Sequence, residues 1–215
     1  MNATGVNISD DTLTSEEVLL ANVRYYEEQA AVFANRVRTL PLHEVYPPFL
    51  ELLPSAAEIL DAGCGTGRDA AAFLARGYAV VAFDASPAMV CRAEKLGVNA
   101  QVMTLQNMSC DKHFDGIWAC ASLLHLPKSE VAGVLECLAR VTRDNGVLFV
   151  SLKEGDGERF AEDGRFFSYF RLPEFTSLLQ AAPWSVIEAR RQVATDGRKW
   201  LNFLARRISR PFSIS

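Results

Sequence analysis

The chain reads Ile59-Leu60-Asp61-Ala62-Gly63-Cys64-Gly65-Thr66-Gly67-Arg68 at the point that decides its fold. An apolar strand end precedes three glycines at alternate positions, and a helical pattern begins directly after them. Glycine suits such a turn because a Cβ would block either a positive φ or the close approach of a ligand. An acidic residue, Asp84, ends the next apolar run, 78–83. A glycine turn followed by such an acid is typical of an α/β domain that binds a nucleoside.

The length and net charge of the chain limit the classes of protein to which it can belong. The chain has 215 residues, of which 49% are hydrophobic, which suits one α/β domain with a substantial core. Its net charge is −4 at pH 7, so there is no overall signature of nucleic-acid binding, and we expect no nucleic acid as a partner. Basic residues near the C-terminus are interpreted as solvated faces of strands. They are Arg190, Arg191, Arg198, Lys199, Arg206, Arg207 and Arg210.

The cysteines and the hydropathy pattern favour a cytoplasmic protein. Five cysteines, an odd number without a Cys-x-x-Cys spacing, predict reduced thiols and neither a disulfide framework nor a metal site. The N-terminus lacks a basic region followed by an apolar core, so no secretion signal is expected. No apolar run is long enough to span a bilayer, and no membrane association is expected. The cysteines are Cys64, Cys91, Cys110, Cys120 and Cys137.

Strand and helix patterns alternate through most of the chain. A helix is expected to begin near residue 14, where a hydroxyl cap precedes two acidic residues. Strands are expected at 59–62, 79–83, 99–104, 114–119, 146–152, 184–192 and 199–207. Helices are expected at 67–75, 87–95, 128–142 and 173–181, with a polar loop at 153–164. Repeated βα units predict a parallel sheet, and the last two strands are predicted to form an antiparallel hairpin.

This order of elements and its motifs resemble the class I S-adenosylmethionine-dependent methyltransferases over residues 57–207. The segment 61–67 is similar to the first motif of that family, and 83–89 is similar to the second. The segment 114–119 resembles the motif of the fourth strand. The segment 145–148 stands where the family often has a Pro-Gly-Gly turn.

The resemblance implies the fold and the domain organisation. We expect an α/β fold with a Rossmann-like, seven-stranded, mostly parallel sheet, an antiparallel last strand, helices on both faces and an N-terminal helical lid. Residues 1–50 would form the lid or extension. Residues 51–215 would form one compact S-adenosylmethionine-binding domain, as a monomer or a homodimer.

A nicotinamide-dependent dehydrogenase is the alternative for the glycine turn. Its fingerprint is Gly-x-Gly-x-x-Gly with a pyrophosphate at the helix N-terminus. Here the spacing is Gly-x-Gly-x-Gly, and Arg68 occupies the last fingerprint position. The carboxylate of Asp61 would repel a pyrophosphate, whereas it suits a ligand with an ammonium and a sulfonium. The charges therefore favour the methyltransferase.

Further segments are similar to small bacterial methyltransferases of the methyltransferase-domain and tellurite-resistance type. They are Tyr26 with Phe33, and the segments 120–127, 164–167 and 200–202. The physiological substrate in this subgroup is usually unassigned.

The resemblance implies S-adenosyl-L-methionine as the cofactor and S-adenosyl-L-homocysteine as the product. Asp84 is expected to accept hydrogen bonds from both ribose hydroxyls, since a carboxylate offers two charged acceptors. Asp61 is expected near the methionine ammonium, with Gly63, Gly65 and Gly67 as the floor beneath the ribose and methionine portions. Further contacts are expected from Tyr26, Cys64, Ala85, Met89, Leu105, Gln106, Ala119 and Cys120.

His125 is the candidate for acid–base chemistry. It follows the fourth strand, at the edge where ligands gather in open α/β sheets. The usual pKa of a histidine side chain suits proton transfer near neutral pH. His125 equally fits a histidine that caps its loop. Cys120 has no neighbouring base in the sequence, and we reject a nucleophile role for it. Tyr26 fits either a residue that covers the cofactor or a core aromatic paired with Phe33.

These observations predict a methyltransferase with a small-molecule acceptor. A hydroxyl or amine acceptor could pass its proton to His125, whereas a thiol or a reduced tellurium or selenium species would need no base. Two other classes stay open, namely a methyltransferase acting on RNA or protein and a non-catalytic S-adenosylmethionine-binding regulator. The charged loop 153–165 either selects the substrate or is a solvated crossover.

Overall fold

The computed structural model describes residues 14–38, 45–109 and 112–209. The strands are β1 Glu58–Ala62, β2 Ala79–Asp84, β3 Asn99–Val102, β4 Phe114–Cys120, β5 Thr142–Lys153, β6 Glu158–Phe160, β7 Phe166–Ser168, β8 Trp184–Val193 and β9 Lys199–Arg207. The helices are α1 Ser15–Arg38, α2 Tyr46–Leu50, α3 Arg68–Leu74, α4 Pro87–Lys95, α5 Lys128–Arg140 and α6 Leu172–Ala181. Cys110 and Arg210, for which the sequence made predictions, lie outside the described residues.

Seven strands form one sheet in the order β3-β2-β1-β4-β5-β9-β8. Neighbouring strands from β3 to β5 are parallel, whereas β9 runs antiparallel to both β5 and β8. Residues 146–152 of β5 are all buried, as expected of a central strand that is covered on both faces. The predicted α/β fold class is confirmed, including its antiparallel strand.

The loop predicted at 153–164 contains a strand that the sequence did not reveal. β6 pairs antiparallel with β7 and forms a separate two-stranded ribbon. β6 has three residues and is exposed along its length, so it carries no alternation of apolar and polar side chains. β5 also begins at Thr142 rather than at residue 146, through an irregular pairing in which Thr142 faces Phe114.

Two hydrophobic clusters cover the two faces of the sheet, one beneath α5 and α6 and the other beneath α2, α3 and α4. Phe49 of α2 is fully buried, with its ring centroid 6.0 Å from that of Phe73 and 5.1 Å from that of Trp118. Trp118 stacks in turn on Phe149 at 3.9 Å. The short α2 is therefore part of the core.

Helix α1 lies at the carboxyl ends of the parallel strands and is held there by polar side chains. The amide group of Asn22 donates to the carbonyl of His125 over 3.3 Å and accepts from the backbone amide of Phe166 over 3.0 Å. The carboxylate of Glu27 accepts from the hydroxyl of Ser86 over 2.5 Å and from the amide of Ala88 over 2.8 Å. The predicted N-terminal helix is thus present.

No helix in the described part of the chain combines the length and the apolar character needed to cross a membrane.

Candidate functional site

A cleft of about 540 Å³ opens at the carboxyl ends of the parallel strands, beneath α1. Open α/β sheets bind their ligands at this edge, and the volume lies within the roughly 300–1,000 Å³ typical of small-molecule sites. We name two walls of the cleft. The turn side is formed by residues from the segments 61–69, 83–86 and 103–106, and the hairpin side by residues from 149–153, 165–167 and 192–202.

The glycine turn is tied to the end of β2 and reaches the cleft through backbone atoms. The amides of Gly63 and Cys64 both donate to the carbonyl of Phe83 over 2.9 Å. Gly63 has a φ of +82°, and a Cβ at this position would stand 2.4 Å from the Cβ of Ser122. Any larger residue would therefore be strained and would also push away the segment that follows β4.

Asp84 ends β2 and turns its carboxylate into the cleft. One oxygen accepts from the amide of Gly65 over 2.8 Å, and the other accepts from the amide of Ser86 over 2.9 Å. Burial raises the pKa of Asp84, although these backbone hydrogen bonds act in the opposite direction. Each carboxylate oxygen can accept a further hydrogen bond, so the side chain can hold two donors of a ligand.

Asp61 presents an acceptor that the described residues leave without a partner. The residue is 2% exposed, and its Oδ2 atom has no hydrogen bond within the described part of the chain. Burial raises the pKa of Asp61 above its usual value, and the nearby carboxylates of Asp69 and Asp84 raise it further. A buried carboxylate oxygen of this kind is costly unless a donor or a cation reaches it. The geometry therefore suits a cationic group of a ligand.

His125 and Tyr26 form a hydrogen-bonded pair at the roof of the cleft. The Nδ1 atom of His125 lies 2.9 Å from the carbonyl oxygen of Phe166, and its Nε2 atom lies 2.9 Å from the hydroxyl of Tyr26. Because a carbonyl only accepts, Nδ1 carries the proton and Nε2 accepts from Tyr26. Burial lowers the pKa of His125 to about 4, so the ring is neutral at neutral pH. The free lone pair of the predicted base is thus engaged by Tyr26.

The chain is similar to known methyltransferases in sequence and in structure. A sequence model of the family described as "Methyltransferase domain" matches residues 59–146. The structure matches the 1,6-didemethyltoxoflavin-N1-methyltransferase of Burkholderia thailandensis with a TM-score of 0.76 and 25% sequence identity, covering 94% of each chain. That protein was crystallised with 1,6-didemethyltoxoflavin and S-adenosylhomocysteine. Residues 59–146 therefore carry a methyltransferase domain, and the similarities support a class I S-adenosylmethionine-dependent methyltransferase.

Two further proteins are similar to this chain, one in sequence and one in structure. The chain is 28% identical over 124 residues to the ubiquinone biosynthesis O-methyltransferase of Xylella fastidiosa (strain 9a5c), covering 52% of this chain and 50% of that one. This match therefore spans half the length of the curated relative. TehB from Haemophilus influenzae has a TM-score of 0.65 and 18% identity, covering 82% of this chain and 66% of that one. The latter likeness concerns the fold alone, and membership of the tellurite-resistance subgroup stays a prediction.

The residues of the turn side fit S-adenosyl-L-methionine, the cofactor that the resemblance implies. The buried, partnerless oxygen of Asp61 suits the positive charge of the methionine portion. The carboxylate of Asp84 has acceptor capacity for a pair of hydroxyls. The position of Gly63 leaves no room for a side chain.

Ten of the thirteen residues predicted to contact the cofactor line the cleft. They are Tyr26, Asp61, Gly63, Cys64, Gly65, Asp84, Ala85, Leu105, Gln106 and Cys120. Burial raises the pKa of the Cys64 and Cys120 thiols. This disfavours the thiolate and agrees with the rejection of a nucleophile role for Cys120.

The structure places the other three predicted residues behind the wall of the cleft. Gly67 lies against α4, where a Cβ would stand 2.6 Å from the Cβ of Ala93, so this glycine allows two helices to pack. Met89 is fully buried in α4. Ala119 is fully buried in one of the hydrophobic clusters, because successive residues of a strand face opposite sides and Cys120 takes the cleft side.

Asp69 was missed by sequence reasoning and organises the floor of the cleft. Its carboxylate accepts from the hydroxyl of Tyr46 over 2.7 Å, from Nε1 of Trp118 over 2.9 Å and from Nε of Arg68 over 2.6 Å. In the sequence it is one acidic residue in the first turn of a helix, which is common for electrostatic reasons. Two of its three partners, Tyr46 and Trp118, lie 23 and 49 positions away along the chain, so no local signal could have revealed this role.

Lys153 and Arg165 of the hairpin side were noted in the sequence only as charges of a polar loop. Lys153 ends β5, and Arg165 directly precedes β7. Both line the cleft opposite the acidic turn side. The structure thus brings these two cations to the same cavity as Asp61 and Asp84.

Proposed function

We propose that the chain transfers the methyl group of S-adenosyl-L-methionine to a small-molecule acceptor. The observation that carries this proposal is the juxtaposition, in one cleft, of the partnerless oxygen of Asp61 with the glycine turn and Asp84. Two relatives support a small acceptor, since one is an N-methyltransferase with bound 1,6-didemethyltoxoflavin and the other is an O-methyltransferase of ubiquinone biosynthesis. The net charge of −4 gives no support to a nucleic-acid acceptor.

The turn side would hold the cofactor by complementary charge and hydrogen bonds. Asp84 would accept from the two ribose hydroxyls, and Asp61 would face the methionine ammonium. Leu105 and Gln106 would border the adenine. The amide nitrogen of Gln106 already donates to Glu130 over 2.9 Å, which fixes the orientation of its side chain.

The cofactor supplies, when bound, an electrophilic methyl group on a sulfonium. The chain itself would contribute orientation and the exclusion of water, which account for much of the catalysis in a transfer between two bound molecules. Helix α1 provides the roof for this purpose, since Asn22 and Glu27 fasten it to both ends of the cleft. The hairpin side is the wall left for the acceptor.

We assign His125 a positioning role rather than that of the proton acceptor. Its Nε2 lone pair accepts from Tyr26, and burial lowers its pKa to about 4, so it is a weak base at neutral pH. By holding the hydroxyl of Tyr26, it keeps the roof of the cleft in one conformation. The ring of Tyr26 also packs edge-on against Phe33, with centroids 5.1 Å apart.

Calorimetry with S-adenosylhomocysteine tests the cofactor assignment. We expect the wild-type protein to bind this product and Asp84→Ala to lose about 100-fold in affinity, the scale of two hydrogen bonds to a charged group. Asp144→Ala is the matched control, because Asp144 is an exposed carboxylate paired with Arg207 outside the cleft. Near-native affinity of Asp84→Ala would refute the ribose assignment, and a wild-type protein that fails to bind would refute the proposed function.

Turnover tests the second half of the proposal. The first acceptor to try is 1,6-didemethyltoxoflavin, followed by small hydroxylated and N–H aromatic compounds, with release of S-adenosylhomocysteine as the readout. Formation of a methylated product by the wild type, and its loss in Asp84→Ala, is the expected result. Binding of the cofactor without turnover across such a panel would favour the non-catalytic regulator.

A further inference from the structure

We propose that the acceptor is a flat aromatic or heteroaromatic molecule that binds as an oxygen or nitrogen anion, held on the hairpin side by Lys153 and Arg165. The inference rests on the proposed function and names the acceptor class for the same cleft. It follows from three features of the hairpin side, namely the direction of its side chains, its surplus of positive charge and its aromatic lining.

The pairing of β5 with β9 directs a polar strip into the cleft. In this register Ser151 lies opposite Asn202, and Lys153 lies opposite Trp200. Alternate residues of a strand share a face, so these four side chains project from the same side of the sheet. All four line the cleft. Lys153 is the last residue of β5, which places its ammonium at the edge where the acceptor would enter.

Lys153 gives this wall its surplus of positive charge. Arg165 is paired with Asp163, and Arg198 is paired with Asp196. No described carboxylate lies within 4.0 Å of the Lys153 ammonium, which instead sits 3.1 Å from the ring centroid of Phe167. Arg165 lies over the same ring at 4.9 Å. A half-buried ammonium that faces aromatic rings, with no carboxylate beside it among the described residues, is poorly compensated, so it favours an anionic ligand.

The aromatic lining defines the shape of the ligand body. Rings of Phe149, Phe167 and Trp200 line the hairpin side, and those of Tyr26 and Phe33 line the cleft from α1. Aromatic walls favour a flat π-system, through burial of apolar area and through stacked or edge-on contacts. The combination of a flat apolar body and one anionic atom matches an acidic phenol, enol or heterocyclic N–H in its deprotonated form.

Binding of the anion would also explain how the reaction proceeds without a side-chain base. The acceptor would lose its proton to solvent before it enters, because Lys153 and Arg165 stabilise the charged form. Its lone pair would form the new bond to the methyl carbon as the carbon–sulfur bond breaks, and the bonding pair would stay on sulfur. The anion and the sulfonium both become neutral, so the methylated product loses its attraction to Lys153. His125 need not accept a proton in this scheme.

Spectroscopic binding of 4-nitrophenol tests the inference, because its phenolate absorbs in the visible range. The neutral, non-ionisable analogue is 4-nitroanisole. With S-adenosylhomocysteine saturating, we expect the wild type to bind the phenolate more tightly than the anisole and to shift the ionisation of the bound phenol toward the anion. Lys153→Met should weaken phenolate binding about 10- to 100-fold, as for the loss of a hydrogen bond to a charged group. Affinity for 4-nitroanisole should be unchanged.

Lys199→Met is the matched control, since it removes the same charge from β9 at an exposed position outside the cleft. It should leave phenolate affinity unchanged. Equal affinities of the wild type for the two probes, failure to bind the phenolate, or an unchanged Lys153→Met would each overturn the inference. Calorimetry with S-adenosylhomocysteine on every variant separates the two proposals, because retained product binding with no phenolate preference overturns only this one.

Discussion

The two walls of the cleft are built in different ways. The turn side comes from one stretch of the chain, residues 61–106, and the carboxylate of Asp84 is held in place there by the backbone amides of Gly65 and Ser86. The hairpin side joins the end of β5, the start of β7 and the β8–β9 hairpin, and it acts through long side chains. A wall whose side chains are fixed by the nearby backbone can hold one constant ligand rigidly. A wall made of long side chains from separate segments can change its specificity without disturbing the turn side.

Substitution of Gly63 should have the largest effect on stability and on product affinity, and it should perturb the turn side rather than the hairpin side. In Gly63→Ala the new Cβ would stand 2.4 Å from Ser122 at a φ of +82°. We expect a loss of about 2–4 kcal/mol in the free energy of unfolding, from overpacking together with a strained backbone. Urea denaturation measures this loss, and calorimetry should show a large loss of S-adenosylhomocysteine affinity.

Gly77→Ala separates the two causes of that loss. Gly77 has a similar φ of +87°, but a Cβ there would meet nothing within 4 Å among the described residues. It should lose only the backbone contribution, about 1–2 kcal/mol, and keep its product affinity. Equal effects of the two substitutions would show that the contact with Ser122 does not matter.

The pH dependence of phenolate binding should give an intermediate effect, confined to the hairpin side. Burial, together with the cations of Arg165, Arg198 and Arg159, lowers the pKa of Lys153 to about 8, and Asp163 opposes this shift. The ammonium is present below that pKa and is lost above it. Affinity for 4-nitrophenolate should therefore fall as the pH rises through about 8, by up to roughly tenfold per pH unit.

Two measurements isolate Lys153 in that pH profile. Lys153→Met should bind the phenolate weakly and without this fall, and 4-nitroanisole should bind the wild type equally well across the range. A phenolate profile that keeps its fall in Lys153→Met would assign the titration to another group.

Substitutions of His125 should have the smallest effect, which is a modest change in turnover, since His125 belongs to the roof that both walls share. His125→Asn retains a donor and an acceptor but no basicity, and we expect turnover within a few-fold of the wild type. His125→Ala should lose about tenfold, because a missing hydrogen bond frees Tyr26. The measurement is kcat on an acceptor identified in the turnover screen. Equal and large losses in both variants, with an acid limb in the wild-type pH profile, would restore His125 as the base.

The role of a residue could be predicted from the sequence when its contacts are with residues nearby in the chain. It could not be predicted when those contacts are with distant residues. The strand ends at Asp61 and Asp84 were recognisable because an apolar run, a turn and an acid follow one another within a short segment. The exposed ribbon strand β6 was not, since three polar or exposed residues carry no periodic signal. Gly67 satisfied the motif, yet its role in helix packing depends on Ala93 in the next helix.

The amino-acid sequence alone was enough to predict the α/β class, the glycine turn and the resemblance to methyltransferases, because periodicity and short motifs are local properties. Tertiary structure decided which side chains share the cleft. The hydrogen bond between Tyr26 and His125 joins residues 99 positions apart, and the bond between Asn22 and Phe166 joins residues 144 positions apart. Lys153 and Trp200 meet only through the register of β5 with β9. Such contacts depend on the packing of distant segments, which no local pattern encodes.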